Sequence, residues 1–386
     1  MTFAELGLSS FLASRLATRG IHNPTEIQRL VIPSVLEGQN ALFRSATGTG
    51  KTFAYLLPLF ERLLAAEKTG AFPRVLILAP TLELCSQIKQ EADFLLKDNA
   101  GSLKTSLVIG SANMSRQIDA IKKDKPDIIV GNTARLMQLG RMGKLKLARV
   151  SALILDEGDR LISDELRDET TELITHVNPA RQTLACSATM SVKSRERLAP
   201  LMGAAVSLET DEQEILRERI SHWAFFSEGR RKISTLGSLL TATAAKKALV
   251  FTTVGGQIGN IVSQLQYHKI AAMGIYSSMD KKLRKQAVDD FRSGKARVLV
   301  SSDLSARGLD IPVITHIIAL DTSADPEAYI HRAGRTARAG QRGVMVTIGD
   351  EAEMRLLAAL EKKLGITVYP KVLFHGQILT PEQAAL

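Results

Sequence analysis

Short runs of apolar, often β-branched residues alternate along the chain with longer stretches of helical apolar spacing. Runs of this length are typical of strands buried on both faces, and helices are the usual connections of a parallel sheet. The pattern therefore predicts an α/β fold with two doubly wound sheets flanked by helices. Helical spacing is clearest at 53–65, and the predicted strands are 41–44, 75–78, 106–109, 127–130, 152–155, 183–186, 248–251, 272–275, 298–300, 316–320 and 344–348.

The chain has 386 residues, of which 45% are hydrophobic, so it can form two cores of ordinary size. The charged segment ETDEQEILRER (209–219) lacks a strand pattern and predicts a linker. We expect a domain at 1–207, a linker at 208–219, a second domain at 220–366 and a short tail at 367–386. The tail has no glycine–arginine repeat, zinc-ligand spacing or basic run. Two domains on a short linker would leave a cleft between them.

The formal net charge is +10, and positive charge is present in both halves. This balance favours a polyanionic partner that contacts both domains, although a generally cationic surface is the alternative. Cys85 and Cys186 are too few for a disulfide framework and fit a reducing compartment, so we expect a cytoplasmic protein. We expect no signal peptide, since the N-terminus lacks a basic n-region, and no membrane helix, since no apolar run is long enough.

The segment SATGTGKT (45–52) follows a predicted strand and precedes a predicted helix, as a phosphate-binding loop does. Its glycines allow backbone N–H groups to surround phosphate oxygens, and the helix N-terminus adds positive potential. Lys51 would reach the β- and γ-phosphates, and the Thr52 hydroxyl would bind Mg²⁺. A glycine-rich turn with an incidental lysine is the alternative. Ser45 stands where the general pattern has glycine, and the nucleotide-binding residues would be Ala46, Thr47, Gly48, Thr49, Gly50, Lys51 and Thr52.

In LILDEGDR (153–160), an apolar strand ends in acidic residues, which places Asp156 at the carboxyl edge of the sheet. Asp156 suits coordination of Mg²⁺, and Glu157 suits positioning or deprotonation of an attacking water. Solvated acids that cap a helix are the alternative. Together with the phosphate loop, this segment predicts a nucleoside triphosphatase.

The segment HRAGRTARAG (331–340) repeats arginine at every third position, at Arg332, Arg335 and Arg338, with no acid among them. A guanidinium group keeps its charge in a protein, so a negative group must face it. The first half offers no obvious arginine for the transition state of phosphoryl transfer. We therefore expect the second domain's arginines to meet the γ-phosphate held by the first. An exposed basic helix is the alternative, and a nucleic-acid contact stays open for Arg332.

These segments, in this order, resemble those of the DEAD-box RNA helicases of helicase superfamily 2, over about residues 3–366. The resemblance implies two tandem RecA-like domains and the cofactors ATP and Mg²⁺. Phe3 and NPTEIQ (23–28) look like the adenine-reading motif, in which Phe3 would stack on the base and Gln28 would hydrogen-bond its edge. From the residues alone, Phe3 is more readily a core residue and Gln28 a helix-surface amide.

The resemblance also implies coupling and interface roles. SAT (187–189) looks like the element that links the ATP state to unwinding, through Ser187 and Thr189, with Asp159 retained in the DEGD segment. Within SDLSARGLDIP (302–312), Gly308 would approach the nucleotide and Asp310 would bind its ribose. HRAGRTAR looks like the arginine-finger motif, in which the γ-phosphate would be met by Arg335 and Arg338, and the closed interface would be stabilised by His331 and Arg332.

RNA contacts carry over less completely. PTLEL (80–84) has Leu82 where the family usually has arginine, and NTAR (132–135) keeps only the arginine of its motif. Gly110–Ser111 replaces paired glycines, and Lys281 replaces a glutamine. Family contacts go mostly to the sugar-phosphate backbone, so these changes would lower affinity without abolishing binding. The expected RNA-binding residues are Pro80, Thr81, Arg135, Arg284 and Ser302.

Two substitutions lie close to the expected catalytic residues. Gly158 replaces the alanine of the DEAD motif that gives the family its name. The greater backbone freedom of glycine would lower stability by up to ~1 kcal/mol. Ala337 replaces a glycine, and alanine would keep the finger arginines presented if that segment is helical.

The sequence thus predicts a monomeric, RNA-dependent ATPase that unwinds or remodels RNA duplexes or RNA–protein complexes by ATP-driven closure. The partner would be single-stranded RNA or a short duplex. An ATP-gated RNA clamp or assembly factor is the alternative that the altered RNA motifs favour, and a DNA-directed motor is a third.

Overall fold

The computed structural model divides the chain into two compact units, Met1–Thr210 and Asp211–Leu386. In the described part, each unit has a seven-stranded parallel sheet with hydrophobic layers on both faces. The predicted class, two tandem RecA-like domains, is confirmed. The structure describes residues 1–45, 48–66, 72–97, 103–210, 216–243, 245–276, 278–303, 314–337 and 341–385.

The first sheet has the strand order β3-β4-β2-β5-β6-β1-β7. Its central strands β5, β6 and β1 are neighbours, so the segments that follow them meet at one carboxyl edge, where ligands bind in such sheets. The strands are β1 (Asn40–Arg44), β2 (Val75–Leu78), β3 (Thr105–Val108), β4 (Ile128–Gly131), β5 (Ala152–Asp156), β6 (Gln182–Ser187) and β7 (Ala205–Glu209).

Side chains of one strand alternate between the two hydrophobic layers of the first unit. In β5, Ile154 packs in one layer with Leu56, whereas Leu153 and Leu155 pack in the other layer with Leu136. Each fully buried leucine or isoleucine contributes about 1.5–3 kcal/mol by leaving water. The helices are α1 (Ser10–Ala17), α2 (Glu26–Leu36), α3 (Lys51–Ala65), α4 (Leu82–Leu96), α5 (Met114–Asp124), α6 (Thr133–Arg141), α7 (Gly158–Leu161), α8 (Arg167–Thr175) and α9 (Val192–Met202).

The second sheet has the equivalent order β10-β11-β9-β12-β13-β8-β14, and a separate antiparallel hairpin, β15–β16, follows it. The strands are β8 (Ile220–Phe226), β9 (Ala248–Phe251), β10 (Ala272–Ile275), β11 (Val298–Ser301), β12 (His316–Ala319), β13 (Gly343–Gly349), β14 (Val368–Pro370), β15 (Val372–Phe374) and β16 (Gln377–Leu379). The helices are α10 (Lys232–Ala242), α11 (Ile258–Tyr267), α12 (Lys281–Ser293), α13 (Pro326–Ala333), α14 (Glu351–Leu364) and α15 (Pro381–Ala384). None of the helices in the described ranges has the length and apolar composition needed to cross a membrane.

The structure contains strands that the sequence patterns did not predict. Strand β7 reaches Glu209, which the predicted linker included, and β8 begins at Ile220. Strand β14 adds the first residues of the predicted tail to the edge of the second sheet. The hairpin after it packs Leu373 and Ile378 against the second unit's hydrophobic core. These segments were missed because they are short, or because they mix polar and apolar residues without a continuous buried run.

Candidate active site

The described part of the phosphate-binding segment joins β1 to α3. Gly48 and Gly50 have left-handed φ angles of 85° and 92°, which only glycine adopts readily, and α3 begins directly at Lys51. The Lys51 ammonium donates to the backbone carbonyl of Ser45 and so stays within the curve of the loop. Ala46 and Thr47 lie outside the described residues. A lysine and a helix N-terminus at one loop form a site suited to phosphate oxygens.

Ser45 ties this segment to the end of the first unit. Its buried hydroxyl donates to Thr49 Oγ1 at 2.7 Å and accepts from Thr210 Oγ1 at 2.9 Å. Its backbone N–H also donates to the carbonyl of Ser187 at 3.2 Å. A glycine at this position would lose both hydroxyl contacts, so the departure from the general pattern has a structural role.

Asp156 ends β5 and is 4% exposed. Its Oδ2 accepts from the Tyr55 hydroxyl at 2.8 Å, and its Oδ1 accepts from the Glu157 backbone N–H at 2.9 Å and from the Cys186 thiol at 3.2 Å. Burial, and then the Asp156 charge, raise the pKa of Tyr55 and of Cys186 well above their ordinary values. Both groups therefore stay protonated near neutral pH and remain donors to the carboxylate.

The oxygens available to a metal fit Mg²⁺. The Asp156 carboxylate accepts from the Tyr55 hydroxyl, and Tyr55 lies three positions after Thr52 on α3, so Asp156 contacts the helix that carries Thr52. No group of three or more His, Cys, Asp or Glu side chains in the described ranges could hold a metal ion by itself. This arrangement suits Mg²⁺, which is usually bound by one or two protein oxygens with phosphates and waters completing its octahedron.

Glu157 has a left-handed backbone with φ 51°, and α7 begins at the next residue, Gly158. This conformation is uncommon for a residue with a side chain and often marks functional sites. A Cβ built on Gly158 would lie 3.5 Å from Ala185 Cβ, which is an ordinary van der Waals contact. The space at this position therefore accepts alanine.

The expected coupling residues of the first unit are joined by hydrogen bonds. Thr189 Oγ1 donates to Asp159 Oδ2 at 2.8 Å, and the Thr189 backbone N–H donates to Ser187 Oγ at 3.2 Å. Because Ser187 also contacts the backbone of Ser45, these bonds link the DEGD segment to the phosphate-binding segment.

The expected adenine-reading residues are buried. Phe3 is 2% exposed and belongs to the hydrophobic core of the first unit. Gln28 is 2% exposed, accepts from Thr25 N at 3.0 Å and donates to the Gly50 carbonyl at 3.1 Å. To bind an adenine edge with both amide atoms, Gln28 would have to leave these partners. The structure therefore shows the core position of Phe3, and base recognition by either residue stays a prediction.

The expected RNA-binding residues of the first unit lie beyond β2 and β4. Thr81 caps α4 by accepting from Leu84 N at 3.2 Å, and Pro80 precedes it. The Arg135 guanidinium donates to the Gly110 carbonyl at 2.8 Å, while Asn132 Oδ1 accepts from Gly110 N at 3.2 Å. Asn132 and Arg135 thus both hydrogen-bond the loop at Gly110.

Arg332 of the second unit is 3% exposed and forms an ion pair with Asp303. Its Nε donates to Oδ1 at 2.7 Å and its Nη2 to Oδ2 at 2.5 Å, while Nη1 donates to the Asp321 carbonyl at 2.6 Å. An acid after β11 therefore faces the first arginine of the repeat. Near Arg332 in the sequence, Arg335 is buried and His331 is half-buried.

The remaining predicted site residues are only partly described. Arg284 lies half-buried on α12, and Ser302 is half-buried directly after β11. The residues outside the described part are Gly308, Asp310 and Arg338.

Comparison with known proteins identifies the family. A model described as DEAD/DEAH box helicase matches residues 25–198, and one described as helicase conserved C-terminal domain matches 231–340. The DEAD-box ATP-dependent RNA helicase CshC of Bacillus cereus is 33% identical over 98% of this chain and 95% of its own length. This chain belongs to the DEAD-box ATP-dependent RNA helicases.

Other members and solved structures agree with this assignment. The probable ATP-dependent RNA helicase YfmL of Bacillus subtilis is 32% identical over 96% of each chain. S. cerevisiae Dbp5, solved bound to RNA and ADP BeF3, matches with a TM-score of 0.84 and 25% identity, over 96% of this chain and 95% of that one. Mss116p, solved with single-stranded RNA and AMP-PNP, shares the fold at a TM-score of 0.84 and 24% identity, over 95% of this chain and 78% of that one.

The condition attached to the expectation for Ala337, a helical segment at that position, is not met. Helix α13 ends at Ala333, and Ala337 has a left-handed φ of 55°. Alanine therefore does not extend a helix between the finger arginines, because the local backbone has the conformation that glycine tolerates best.

Several site residues of this DEAD-box protein were not predicted: Tyr55, Cys186, Thr210 and Asp303. Parallel register could have indicated one of them, because Asp156 and Cys186 are paired residues at the ends of adjacent strands. Tyr55 lies three positions after Thr52, on the same side of α3. Thr210 and Asp303 carry no local signal, since their partners are distant in sequence.

Proposed function

We propose that this DEAD-box helicase hydrolyses ATP when RNA is bound and uses ATP-driven closure of its two units to unwind or remodel short RNA duplexes or RNA–protein complexes. One observation carries the proposal: hydrogen bonds through Ser187 join the phosphate-binding segment to Thr189 and Asp159. Such a connection can transmit the state of the nucleotide to the rest of the unit.

In the first unit, the phosphates are held by Lys51 and by backbone N–H groups of the loop. Ala46 and Thr47, which lie outside the described residues, contribute two of these N–H groups. Thr52 and Asp156 would hold Mg²⁺, which when bound would supply positive charge to the phosphates. Tyr55 and Cys186 orient the Asp156 carboxylate. Glu157 positions the attacking water and accepts its proton.

In the second unit, Arg335 and Arg338 neutralise charge that develops on the γ-phosphate. Gly308 approaches the nucleotide and Asp310 binds its ribose, as the family resemblance implies. Arg332 acts differently, because its guanidinium is already bound to Asp303 and to the Asp321 carbonyl. It stabilises the segment that carries the finger arginines.

RNA is bound through its backbone, which suits the family resemblance and the net charge of +10. Pro80, Thr81, Arg284 and Ser302 contact the strand. Arg135 also holds the Gly110 loop in place, because its Nη1 donates to Gln117 Oε1 and its Nη2 donates to the Gly110 carbonyl. We also propose a cytoplasmic location, on the basis of the two free, buried cysteines.

The alternative function is an ATP-gated RNA clamp or assembly factor with weak unwinding. Leu82, at the start of α4, removes a cation from the expected RNA path. A clamp would bind RNA in an ATP-dependent manner and release little of a paired strand.

The deciding experiment measures ATP hydrolysis by the full chain with and without single-stranded RNA at one fixed salt concentration. We expect RNA to stimulate hydrolysis, and Lys51→Ala to abolish it. Strand release from a short duplex then separates the helicase from the clamp. Lys51-dependent hydrolysis that RNA does not change would contradict the proposal.

The role of Glu157 is tested by Glu157→Gln. This variant keeps the side-chain size, so it should still bind ATP, while the loss of the base traps the closed state on RNA. Slow RNA dissociation in ATP is the expected result, and rapid dissociation would remove Glu157 from this role.

A further inference from the structure

A buried histidine of the second unit bridges two segments that are far apart in sequence. His222, on β8, is 2% exposed. Its Nε2 lies 2.8 Å from the Leu216 carbonyl oxygen, and its Nδ1 lies 2.7 Å from the Tyr329 hydroxyl. The two rings are stacked, with centroids 5.8 Å apart and an angle of 28° between planes.

The partners determine where the imidazole carries its proton. A carbonyl oxygen can only accept, so Nε2 carries the hydrogen and donates to Leu216. Burial lowers the pKa of His222, although the Leu216 carbonyl and Glu361 oppose this effect. The neutral ring therefore leaves Nδ1 as an acceptor, and the Tyr329 hydroxyl donates to it. Burial raises the pKa of Tyr329, which keeps that hydroxyl protonated.

The two ends of this bridge lie on different segments of the second unit. Leu216 is the first described residue after 211–215, the segment that follows Thr210 at the end of the first unit. Tyr329 lies on α13, one turn before Arg332, and both side chains are buried. Arg332 in turn holds Asp303 and precedes Arg335 by three residues. The bridge thus joins the chain that arrives from the first unit to the helix that presents the arginine motif.

Both hydrogen bonds of His222 are buried, so breaking either one would be unfavourable because water cannot replace the lost partner. A buried donor or acceptor that loses its partner bears its full desolvation cost, so α13 and the backbone at Leu216 are held in one relative position. A shift of either segment must move or break the bridge.

We propose that His222 and Tyr329 are positioning residues for ATP turnover: they fix the backbone at Leu216 to α13 and thereby set the orientation of Arg335. This inference rests on the proposed role of Arg335, and it adds a fixed link between the connecting segment and the finger helix. The residues contact neither nucleotide nor RNA in this account.

The test compares Tyr329→Phe, His222→Leu and His222→Gln in the full chain. Turnover is measured over a range of ATP concentrations with saturating polyuridine RNA, at a temperature where each variant is folded. Removal of the bridge should lower kcat about tenfold and change KM for ATP less than about twofold. His222→Gln should recover most of kcat, because the glutamine amide can donate to Leu216 and its carbonyl can accept from Tyr329. Tyr267→Phe is the matched control, since it removes a phenol hydroxyl from a residue that is 84% exposed.

Unchanged kcat in folded Tyr329→Phe would overturn the proposal, as would a His222→Gln variant as slow as His222→Leu. If His222→Leu does not fold, the comparison of Tyr329→Phe with His222→Gln still decides. A nitrogen-15 spectrum of the resting protein tests the bridge independently of catalysis, because His222 must have a protonated Nε2 and a bare Nδ1. Failure of Arg335→Ala to slow turnover, with that spectrum as expected, would instead count against the proposed finger.

Discussion

The Tyr55 hydroxyl donates a hydrogen bond of 2.8 Å to Asp156 Oδ2 in the interior of the first unit. The donor lies on the first turns of α3 and the acceptor ends β5, so the contact joins the helix of the phosphate loop to the strand of the acidic motif. Burial raises the pKa of Tyr55, and the phenol therefore stays a donor throughout the physiological range.

Tyr55→Phe removes only this hydroxyl. We expect kcat/KM for ATP to fall about fivefold to tenfold, because the carboxylate loses a bond that orients it, and the free energy of unfolding to fall by about 1 kcal/mol. Steady-state kinetics and denaturant unfolding provide the two measurements. An unaltered kcat/KM would show that the backbone and Cys186 contacts orient Asp156 sufficiently.

Ala337→Gly should stabilise the second unit by about 1 kcal/mol, because glycine adopts the left-handed φ of 55° without strain. Equilibrium unfolding in urea measures this effect. The matched control is Ala328→Gly within helix α13, which should destabilise by about 0.5–1 kcal/mol. Destabilisation by both changes would mean that the segment after α13 does not hold the strained conformation.

Arg332→Ala should destabilise the second unit by about 2–3 kcal/mol, because it removes a buried cation whose partner, Asp303, is one-third exposed. Arg230, whose pair with Glu228 is exposed, provides the control, with an expected loss below about 0.5 kcal/mol. Denaturant unfolding separates the two. A stable Arg332→Ala variant with weaker RNA affinity would instead favour the nucleic-acid contact.

Leu82→Arg restores the cation that the DEAD-box family usually has at the start of α4. We expect a lower RNA concentration for half-maximal ATPase stimulation, by about threefold to tenfold, and a steeper salt dependence, since one more phosphate would be neutralised. Leu82→Gln, which adds polarity without charge, is the control. Equal behaviour of the two variants would show that this position is away from the RNA path.

Alkaline pH should destabilise the first unit through Cys85. Burial raises the pKa of this thiol from 9.0 to about 12. The folded state favours the protonated thiol. The contribution of Cys85 to the free energy of unfolding is therefore complete below pH 9 and is lost as the pH rises towards 12. Cys85→Ala should flatten this part of the stability profile, measured by unfolding at several pH values. An equally steep profile in the variant would assign the loss to other groups.

The central strands could be predicted because they are buried on both faces and consist of continuous apolar runs. The central strands at 75–78 and 248–251 were predicted with the bounds that the structure has, and so was the edge strand at 272–275. Strand β7 was not predicted because its alternate residues face solvent. Strand β8 was not predicted because a histidine interrupts the apolar residues of its sequence, ISHWAFF. His222 is polar in sequence and buried in the fold, and only the contacts with Leu216 and Tyr329 explain this.

The motif residues of the candidate site were predicted from the sequence, whereas the residues that orient them were not. Local motifs indicated Lys51, Asp156 and Glu157, since each follows a strand in a recognisable context. The groups that orient Asp156 were not predicted, because Tyr55 and Cys186 read as ordinary core residues. The register of β5 and β6 brings Cys186 to Asp156, and the packing of α3 on the sheet brings Tyr55 to it. The arginine repeat by itself did not indicate the partner of Arg332, because that partner, Asp303, lies 29 residues earlier in the chain.

Strand β14 gives the residues after 366 a function in solubility. By pairing with β8, it covers backbone groups that would otherwise form an open sheet edge, and its last residue, Pro370, has no N–H to offer to another strand. A chain shortened before Val368 would expose β8 as a template for strand exchange between copies. The nucleotide-binding motifs could then be intact in a protein that aggregates, so the boundary chosen for expression would determine whether any activity is measured.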